Sequence, residues 1–195
     1  VDALVVQRDV LDPTEYVAMW LRDSGQSDDL TAYDGWLAAF QEARVEGVGM
    51  GFVRIRRTDA TARSVLLDWP HPVEQPLGPH LTAWLDRRAW LAGCADDQLL
   101  VATLQVARDV VQEQVGQPGA EDPEQVVLRR LRGLRPAVRV DTATAALVGA
   151  SEGTVTVAAL IGAVASVLHE DPRGLQQRLL PTLRDLVDQG MLEPG

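Results

Sequence analysis

A proline-rich segment at residues 70–79 limits how this chain can fold more than any other feature of its sequence. Prolines occupy positions 70, 72, 76 and 79. Each proline removes a backbone N–H donor and fixes φ, so the segment is suited neither to a helix interior nor to a central strand. We therefore expect it to be a rigid linker between two domains, residues 1–69 and residues 80–195.

The first domain carries the pattern of strands separated by two helices. A continuous apolar run at residues 3–6 predicts a strand that is covered on both faces, as in a larger sheet. Alternating residues predict two further strands at 48–57 and 64–69, joined as a hairpin through a turn at 58–62. Asp12 and Pro13 are typical of a helix start, and a second helix should end before Gly47.

Aromatic residues recur at helical spacing in both of these helices. Tyr16 and Trp20 share one face of the first helix, and Tyr33, Trp36 and Phe40 share one face of the second. Such a stripe could line a ligand site. Because aromatic side chains at this spacing are the usual filling of a core, we expect core packing instead.

The second domain is expected to be mainly helical. Apolar spacing predicts helices at residues 80–91, 96–115, 142–148, 157–168 and 172–189. The last 55 residues follow the order of a winged-helix unit, with an extended segment at 138–140, a turn at 152–153 and an apolar end at 191–192. The expected fold class is therefore α+β, with a winged-helix-like second domain.

Composition excludes several functions. The chain has 18 arginines, 28 acidic residues and a net charge of −10, and it contains neither lysine nor asparagine. Phosphate-loop lysines, Schiff-base lysines and asparagine-dependent motifs are therefore ruled out. A single cysteine and three histidines make neither a disulfide framework nor a cysteine-rich zinc site, so we expect no metal and a cytoplasmic location. No apolar run is long enough to span a membrane.

Five arginines lie within eleven residues, with no acid among them. They are Arg129, Arg130, Arg132, Arg135 and Arg139. One interpretation is a patch that contacts the phosphates of RNA or DNA. The other is an ion-paired or solvated face, which we favour because the chain has ten excess acids. Arg129, Arg130 and Arg132 remain candidates for a surface that faces a substrate.

The start of the proline-rich segment gathers chemically useful side chains. Asp68, Trp69, His71 and Glu74 supply an aromatic ring, an imidazole and two carboxylates. Because prolines restrict the backbone, these groups could be held in place to line a substrate site. The alternative is that His71 is simply exposed on a loop.

Several segments, taken in order, resemble the carboxy-terminal part of a family of class I S-adenosylmethionine-dependent methyltransferases from high-GC bacteria, related to glutamine-N5 and adenine-N6 methyltransferases. The first domain contributes DALVVQRDV, DPTEYVAMWLRDSG, YDGWL and GVGMGFVRIRR. The remaining segments are DWPHPVEQPLGP, GASEGTVTV and LRDLVDQGML.

This resemblance implies that residues 2–10 and 48–57 correspond to the sixth and seventh strands of the methyltransferase sheet, an antiparallel pair. S-adenosylmethionine and the catalytic residues would belong to an upstream part, so we expect neither a catalytic nor a cofactor-binding residue here. A start at Val1 rather than methionine fits a non-catalytic C-terminal fragment that packs on its own upstream methyltransferase domain. It would help present a protein or RNA substrate, and its exposed strand edge could pair with a second copy.

The alternative is a stand-alone winged-helix regulator that binds nucleic acid or a protein partner. Its third helix offers Arg173, Gln176, Gln177, Arg178 and Arg184 to a major groove. Because the acids nearly cancel the charge of that helix, we expect a protein contact rather than sequence-specific DNA binding.

Overall fold

The computed structural model describes residues 1–59, 61–118 and 123–195. Within these residues the chain contains seven helices and three three-stranded sheets, which confirms the α+β class. The residues form two compact units, Val1–His71 and Pro72–Gly195. The division falls inside the proline-rich segment. No helix of the described residues has both the length and the hydropathy needed to cross a bilayer.

The first unit contains three strands and two helices. In chain order these are β1 (Asp2–Leu11), α1 (Pro13–Asp23), α2 (Leu30–Glu42), β2 (Val48–Arg56) and β3 (Ser64–Asp68). Aspartates cap both helices: the Asp12 carboxylate accepts from the backbone N–H of Thr14 at 2.8 Å, and Asp29 accepts from Ala32 at 2.9 Å.

The three strands do not form the hairpin that we expected from the sequence. The strand order is β2-β1-β3, with β1 antiparallel to β2 and parallel to β3. The prediction of a β2–β3 hairpin was therefore wrong. Its turn, at 58–62, includes residue 60, which lies outside the described residues. The most buried of the three strands, β1, takes the centre. The backbone N–H of Ala3 donates to the carbonyl oxygen of Arg63 at 2.9 Å where β3 joins β1.

Only one face of this sheet is covered within the chain. Leu4 and Val6 of β1 are fully buried, whereas Val5, which points to the other face, is not. The pairing register places Val53 of β2 and Leu66 of β3 beside Val5, and these two side chains are 64% and 67% exposed. The expectation that residues 3–6 are covered on both faces was thus wrong for this chain by itself.

The aromatic stripe of α1 and α2 is also more exposed than a core would be. No residue of α2 is buried, and the side chains of Trp20 and Trp36 are 47% and 44% exposed. Core packing was therefore the wrong expectation for Trp20 and Trp36, whereas Tyr16, Tyr33 and Phe40 are partly buried. The helix pair keeps only its α1 residues Val17 and Leu21 buried.

The second unit has five helices and six strands in its described residues. The helices are α3 (Leu77–Gly93), α4 (Asp96–Val101), α5 (Thr142–Gly149), α6 (Val157–Leu168) and α7 (Pro172–Asp188). The strands are β4 (Thr103–Val106), β5 (Val110–Val115), β6 (Gln125–Arg130), β7 (Ala137–Val140), β8 (Glu152–Thr156) and β9 (Leu192–Pro194). They form two antiparallel sheets, ordered β8-β4-β9 and β5-β6-β7.

The sequence prediction underestimated the strands of this unit. The helix predicted at 96–115 ends at Val101, and two strands replace its remainder, because leucines and valines that alternate in a strand also matched the helical spacing. The predicted turn at 152–153 is the start of β8.

Pro79 lies in the first turn of α3, where a missing N–H costs no helical hydrogen bond, so the end of segment 70–79 is helical after all. The turn-forming residues at 116–123 also predict a loop, and residues 119–122 of it lie outside the described residues.

One hydrophobic core holds the second unit together. Its buried apolar side chains come from the four strands β4, β6, β7 and β9 and from the four helices α4, α5, α6 and α7. Examples are Leu99, Leu104, Leu128, Leu147, Leu179, Leu183 and Leu192. The two small sheets and the three last helices therefore fold as one body around shared apolar side chains.

Two glycines of the first unit make a matched test of the sheet. A Cβ on Gly51 of β2 would lie 1.9 Å from the carbonyl oxygen of Val6, beside the bulge of β1 between Gln7 and Asp9, whereas a Cβ on Gly35 of α2 would meet nothing within 4 Å. We expect Gly51→Ala to lower the free energy of unfolding by about 1–3 kcal/mol, as overpacking does. Gly35→Ala should raise it by about 0.5–1 kcal/mol. Urea titrations measure the free energy of unfolding of both variants. If the two substitutions changed it equally, the β1–β2 pairing would be contradicted.

Candidate functional site

The buried charges of the second unit converge at the end of α7. Arg130 is the last residue of β6, and the alternation of that strand points Val126, Leu128 and Arg130 toward the interior. A guanidinium at this position is 8% exposed, so it has lost most of its water and needs protein partners.

Asp109 and Gly190 provide those partners. The Arg130 guanidinium donates to the Asp109 carboxylate through Nε, at 3.1 Å, and through Nη2, and its Nη1 donates to the carbonyl oxygen of Gly190 at 2.8 Å. Burial tends to raise the pKa of Asp109, but the hydrogen bonds and charge of Arg130 outweigh burial and lower that pKa below its usual value. Asp109 is therefore ionised at neutral pH.

A second buried arginine, Arg87 of α3, reaches the same helix end. Its Nε and Nη2 both approach the carbonyl oxygen of Asp188 at 3.4 Å. Burial and then the nearby charge of Arg130 lower the pKa of Arg87. Both cations thus face backbone carbonyls that the end of α7 leaves without helical partners, an arrangement favoured by the negative end of the helix dipole.

Gly190 is the residue that allows this approach. Its φ is +75°, and a Cβ there would lie 2.5 Å from Nη1 of Arg130 and 2.8 Å from Cζ of Arg87. Only glycine provides both the backbone conformation and the space. We call the group formed by Arg87, Asp109, Arg130 and Gly190 the arginine node.

A loop that carries two of the flagged arginines packs beside the node. The backbone N–H of Arg132 donates to Asp109 at 3.1 Å, and a Cβ on Gly133 would lie 2.6 Å from Cγ of His80, so that imidazole rests directly on the glycine. The N–H of Glu74 bonds the carbonyl of Gly133 at 2.8 Å. Burial, and then the charge of Arg130, lower the pKa of His80.

The arginines that are clustered in the sequence are separated in space. Arg129 points to the outer face of its sheet and pairs with Glu113 at 2.6 Å, while Arg130 turns inward to the node. The Arg139 side chain donates to Gln125 at 3.1 Å. Arg132 is exposed on the loop after β6. The five arginines therefore do not make one continuous patch within the described residues.

The other candidate residues are divided between the two units. Asp68 ends β3, the Trp69 backbone N–H donates to the carbonyl of Gln7 at 2.7 Å, and the rings of Trp69 and His71 meet edge to face at 5.2 Å. Glu74 belongs to the second unit. Neither unit brings all four residues together, so their role in facing a substrate stays a prediction.

Sequence reasoning missed Arg87, Asp109 and Gly190. Arg130 shares one face of its strand with Val126 and Leu128, and this was a signal that the arginine points inward. A buried arginine requires a carboxylate. Nothing in the local sequence indicated that the carboxylate would be that of Asp109, 21 residues earlier in the chain. Nor did it indicate that the carbonyl oxygen of Gly190, 60 residues later, would accept a hydrogen bond from Arg130.

Comparison with protein families identifies the second unit. A family model described as a domain of unknown function, DUF7782, matches residues 82–194. The chain belongs to the DUF7782 family. The match spans more than half of the chain and includes every residue of the arginine node, so the node lies inside the DUF7782 domain. No curated protein matches the chain.

Two neighbouring arginines of β6 test whether the node stabilises the DUF7782 domain. We expect Arg130→Met to lower the free energy of unfolding at pH 7 by about 3–5 kcal/mol, because Asp109 stays buried and ionised without its partner. Arg129→Met removes an exposed pair with Glu113 and should change stability little. Urea titrations of both variants make the measurement; a loss for Arg130→Met no larger than that for Arg129→Met would contradict the node.

Proposed function

We propose that the chain is the non-catalytic C-terminal part of a class I S-adenosylmethionine-dependent methyltransferase. In this proposal residues 1–71 complete the catalytic sheet and the DUF7782 domain is attached to it, where it helps present a protein or RNA substrate. The observation that carries the proposal is the bare apolar face of the β2-β1-β3 sheet.

That face has the composition of a buried surface. Val53, Ile55 and Leu66 are 64%, 59% and 67% exposed, and the register aligns them with Val5 and Ala3 of the central strand. Sheets that contain parallel pairs normally have both faces covered by other layers. A contiguous apolar face without a layer is typical of an interaction site, and an upstream α/β domain would supply the layer.

The edge of the sheet supports the same proposal. β2 is nine residues long and pairs only with β1 among the described residues. Along residues 48–55, the side of β2 away from β1 pairs with no strand of the described residues, and natural proteins seldom leave the backbone groups of a long strand edge open in this way. An upstream strand of the same protein would satisfy these groups.

The residues of this chain do not fit the cofactor itself. The glycine pair at 49 and 51 lies inside β2, where a Cβ on Gly49 would meet Gln7 and one on Gly51 would meet Val6. A loop that cradles a cofactor instead follows a strand and opens a helix. In our proposal S-adenosylmethionine is therefore bound entirely by the upstream part.

A winged-helix regulator is the weaker proposal. The order α5, β8, α6, α7 and β9, with the sheet β8-β4-β9, supports a winged-helix-like description of the tail. Two of the three arginines of α7 that would read DNA are paired with acids, however. Arg178 pairs with Glu170 at 3.0 Å, and Arg184 pairs with Asp96 at 2.7 Å. These contacts favour a role in protein packing.

Association with the upstream polypeptide tests the proposal. We expect the polypeptide encoded immediately before Val1 to copurify with residues 1–195 when the two are coexpressed as separate chains. Val53→Asp with Ile55→Asp should reduce the copurified amount at least tenfold, because two carboxylates would be buried in an apolar interface. Val167→Asp, an equally exposed site on α6, is the matched control and should have no effect.

Two results would contradict the proposal. The resemblance implies that the upstream part has a glycine-rich loop after its first strand and an N-P-P-Y acceptor motif, so one such result is an upstream sequence that lacks both. The other is copurification that survives the double substitution unchanged. In calorimetry, S-adenosylmethionine should bind the coexpressed pair and not residues 1–195 alone.

A further inference from the structure

We propose that the α1–α2 helix pair binds an arginine- or lysine-rich segment of a partner protein through an exposed aromatic surface. The aromatic surface consists of Tyr16 and Trp20 of α1 and Trp36 and Phe40 of α2. This inference uses only residues 12–46, so it does not depend on whether the sheet joins a methyltransferase.

The four rings lie in two neighbouring rows across the helix pair. The ring of Tyr16 contacts that of Phe40, with centroids 6.0 Å apart, and meets Trp20 edge to face at 6.2 Å. The loop at residues 24–29 joins the two helices. Trp20 is one turn nearer to this loop than Tyr16, and Trp36 is one turn nearer than Phe40. The row formed by Tyr16 and Phe40 is therefore followed by a row formed by the two tryptophans.

The surface is exposed in the chain. Trp20 and Trp36 leave nearly half of their side-chain area in water, and α2 has no buried residue. A tryptophan contributes more to a core or an interface than any other side chain, so two of them left half-exposed side by side are not explained by the stability of the helix pair.

The charges around the surface select the partner. Residues 12–46 contain eight acids and two arginines. Asp23 is one turn beyond Trp20 on the same face of α1, where its carboxylate also lies 3.8 Å from the guanidinium of Arg22, and Asp28 lies in the loop that joins the helices. The segment that carries the aromatic surface thus has a net charge of −6.

Aromatic faces surrounded by carboxylates attract cationic side chains. A guanidinium or ammonium gains from the negative face of a tryptophan ring and from the nearby carboxylates at once. The chain itself contains such a contact, since Cζ of Arg88 lies 4.7 Å from the centre of the Trp84 ring. RNA and DNA carry the wrong sign of charge. A second copy would bring the same acids against one another, so a basic peptide segment is the occupant that fits.

Fluorescence anisotropy with a labelled peptide tests this proposal. The probe is a fluorescein-labelled peptide of alternating arginine and glycine, titrated with residues 1–195 in about 0.15 M salt, where distant charges are screened. We expect Trp20→Ala with Trp36→Ala to weaken binding about tenfold or more, since two cation–π contacts are lost. The net charge does not change in this variant.

Three controls separate the aromatic surface from general attraction by charge. Trp20→Phe with Trp36→Phe keeps the ring faces and should retain most of the affinity. Leu30→Ala removes an exposed apolar side chain from the same helix and should have no effect. Asp23→Asn with Asp28→Asn should weaken binding and leave the circular dichroism spectrum unchanged.

Indole resonances provide a reading that does not depend on any variant folding. The five tryptophans are at 20, 36, 69, 84 and 90, so five indole N–H signals can be followed by NMR during the peptide titration. We expect the signals of Trp20 and Trp36 to shift and the other three to stay in place. The proposal would be overturned if the double alanine variant bound the peptide with equal affinity, or if only the other three indole signals shifted. It would also be overturned if residues 1–195 formed a dimer that the double alanine variant abolishes, or bound single-stranded RNA more tightly than the peptide.

Discussion

The second unit depends on the buried ion pair between Arg130 and Asp109. Both side chains are nearly excluded from water, and each supplies most of the hydrogen bonds of the other. Because removal of either partner would leave a buried charge, the pair fixes β6 against the turn between β4 and β5. Arg130 also holds the carbonyl of Gly190, and the following residue, Met191, is fully buried and bonds the N–H of Ala107 at 3.0 Å. The two small sheets and the end of α7 are thus joined at one point.

The first unit is constrained in a different way. Its sheet has a well-packed face under Leu4 and Val6 and a bare face around Val53 and Leu66. The aromatic surface of the helix pair is a second exposed region, and it differs from the bare sheet face by the acids that surround it. We therefore propose different partners for the two regions: an upstream domain of the same protein for the apolar sheet face, and a basic peptide for the aromatic surface.

Local signals in the sequence predicted much of the fold. Asp12 was recognised as the start of a helix, and its side chain accepts from the N–H of Thr14 at 2.8 Å. Helices α5, α6 and α7 lie close to their predicted positions, and in α6 and α7 the apolar residues keep a period of 3.6 over more than eight residues. The helix predicted at 96–115 was wrong because strands of four and six residues are too short to establish a period of two. The parallel pairing of β1 with β3 depends on contacts about 61 residues apart, which local patterns do not contain. The arginine node likewise depends on contacts between distant residues. The alternation of β6 predicted that Arg130 points inward, but local patterns did not predict its partners.

Hydrogen exchange along β2 tests our central claim most directly. If residues 1–71 complete a larger sheet, the backbone N–H groups of Val48–Arg56 that point away from β1 exchange rapidly in residues 1–195 alone. The same groups become at least tenfold slower when the upstream polypeptide is present, whereas the exchange of β6 in the DUF7782 domain does not change. Exchange of β2 that is equally fast with and without the upstream polypeptide would contradict the claim.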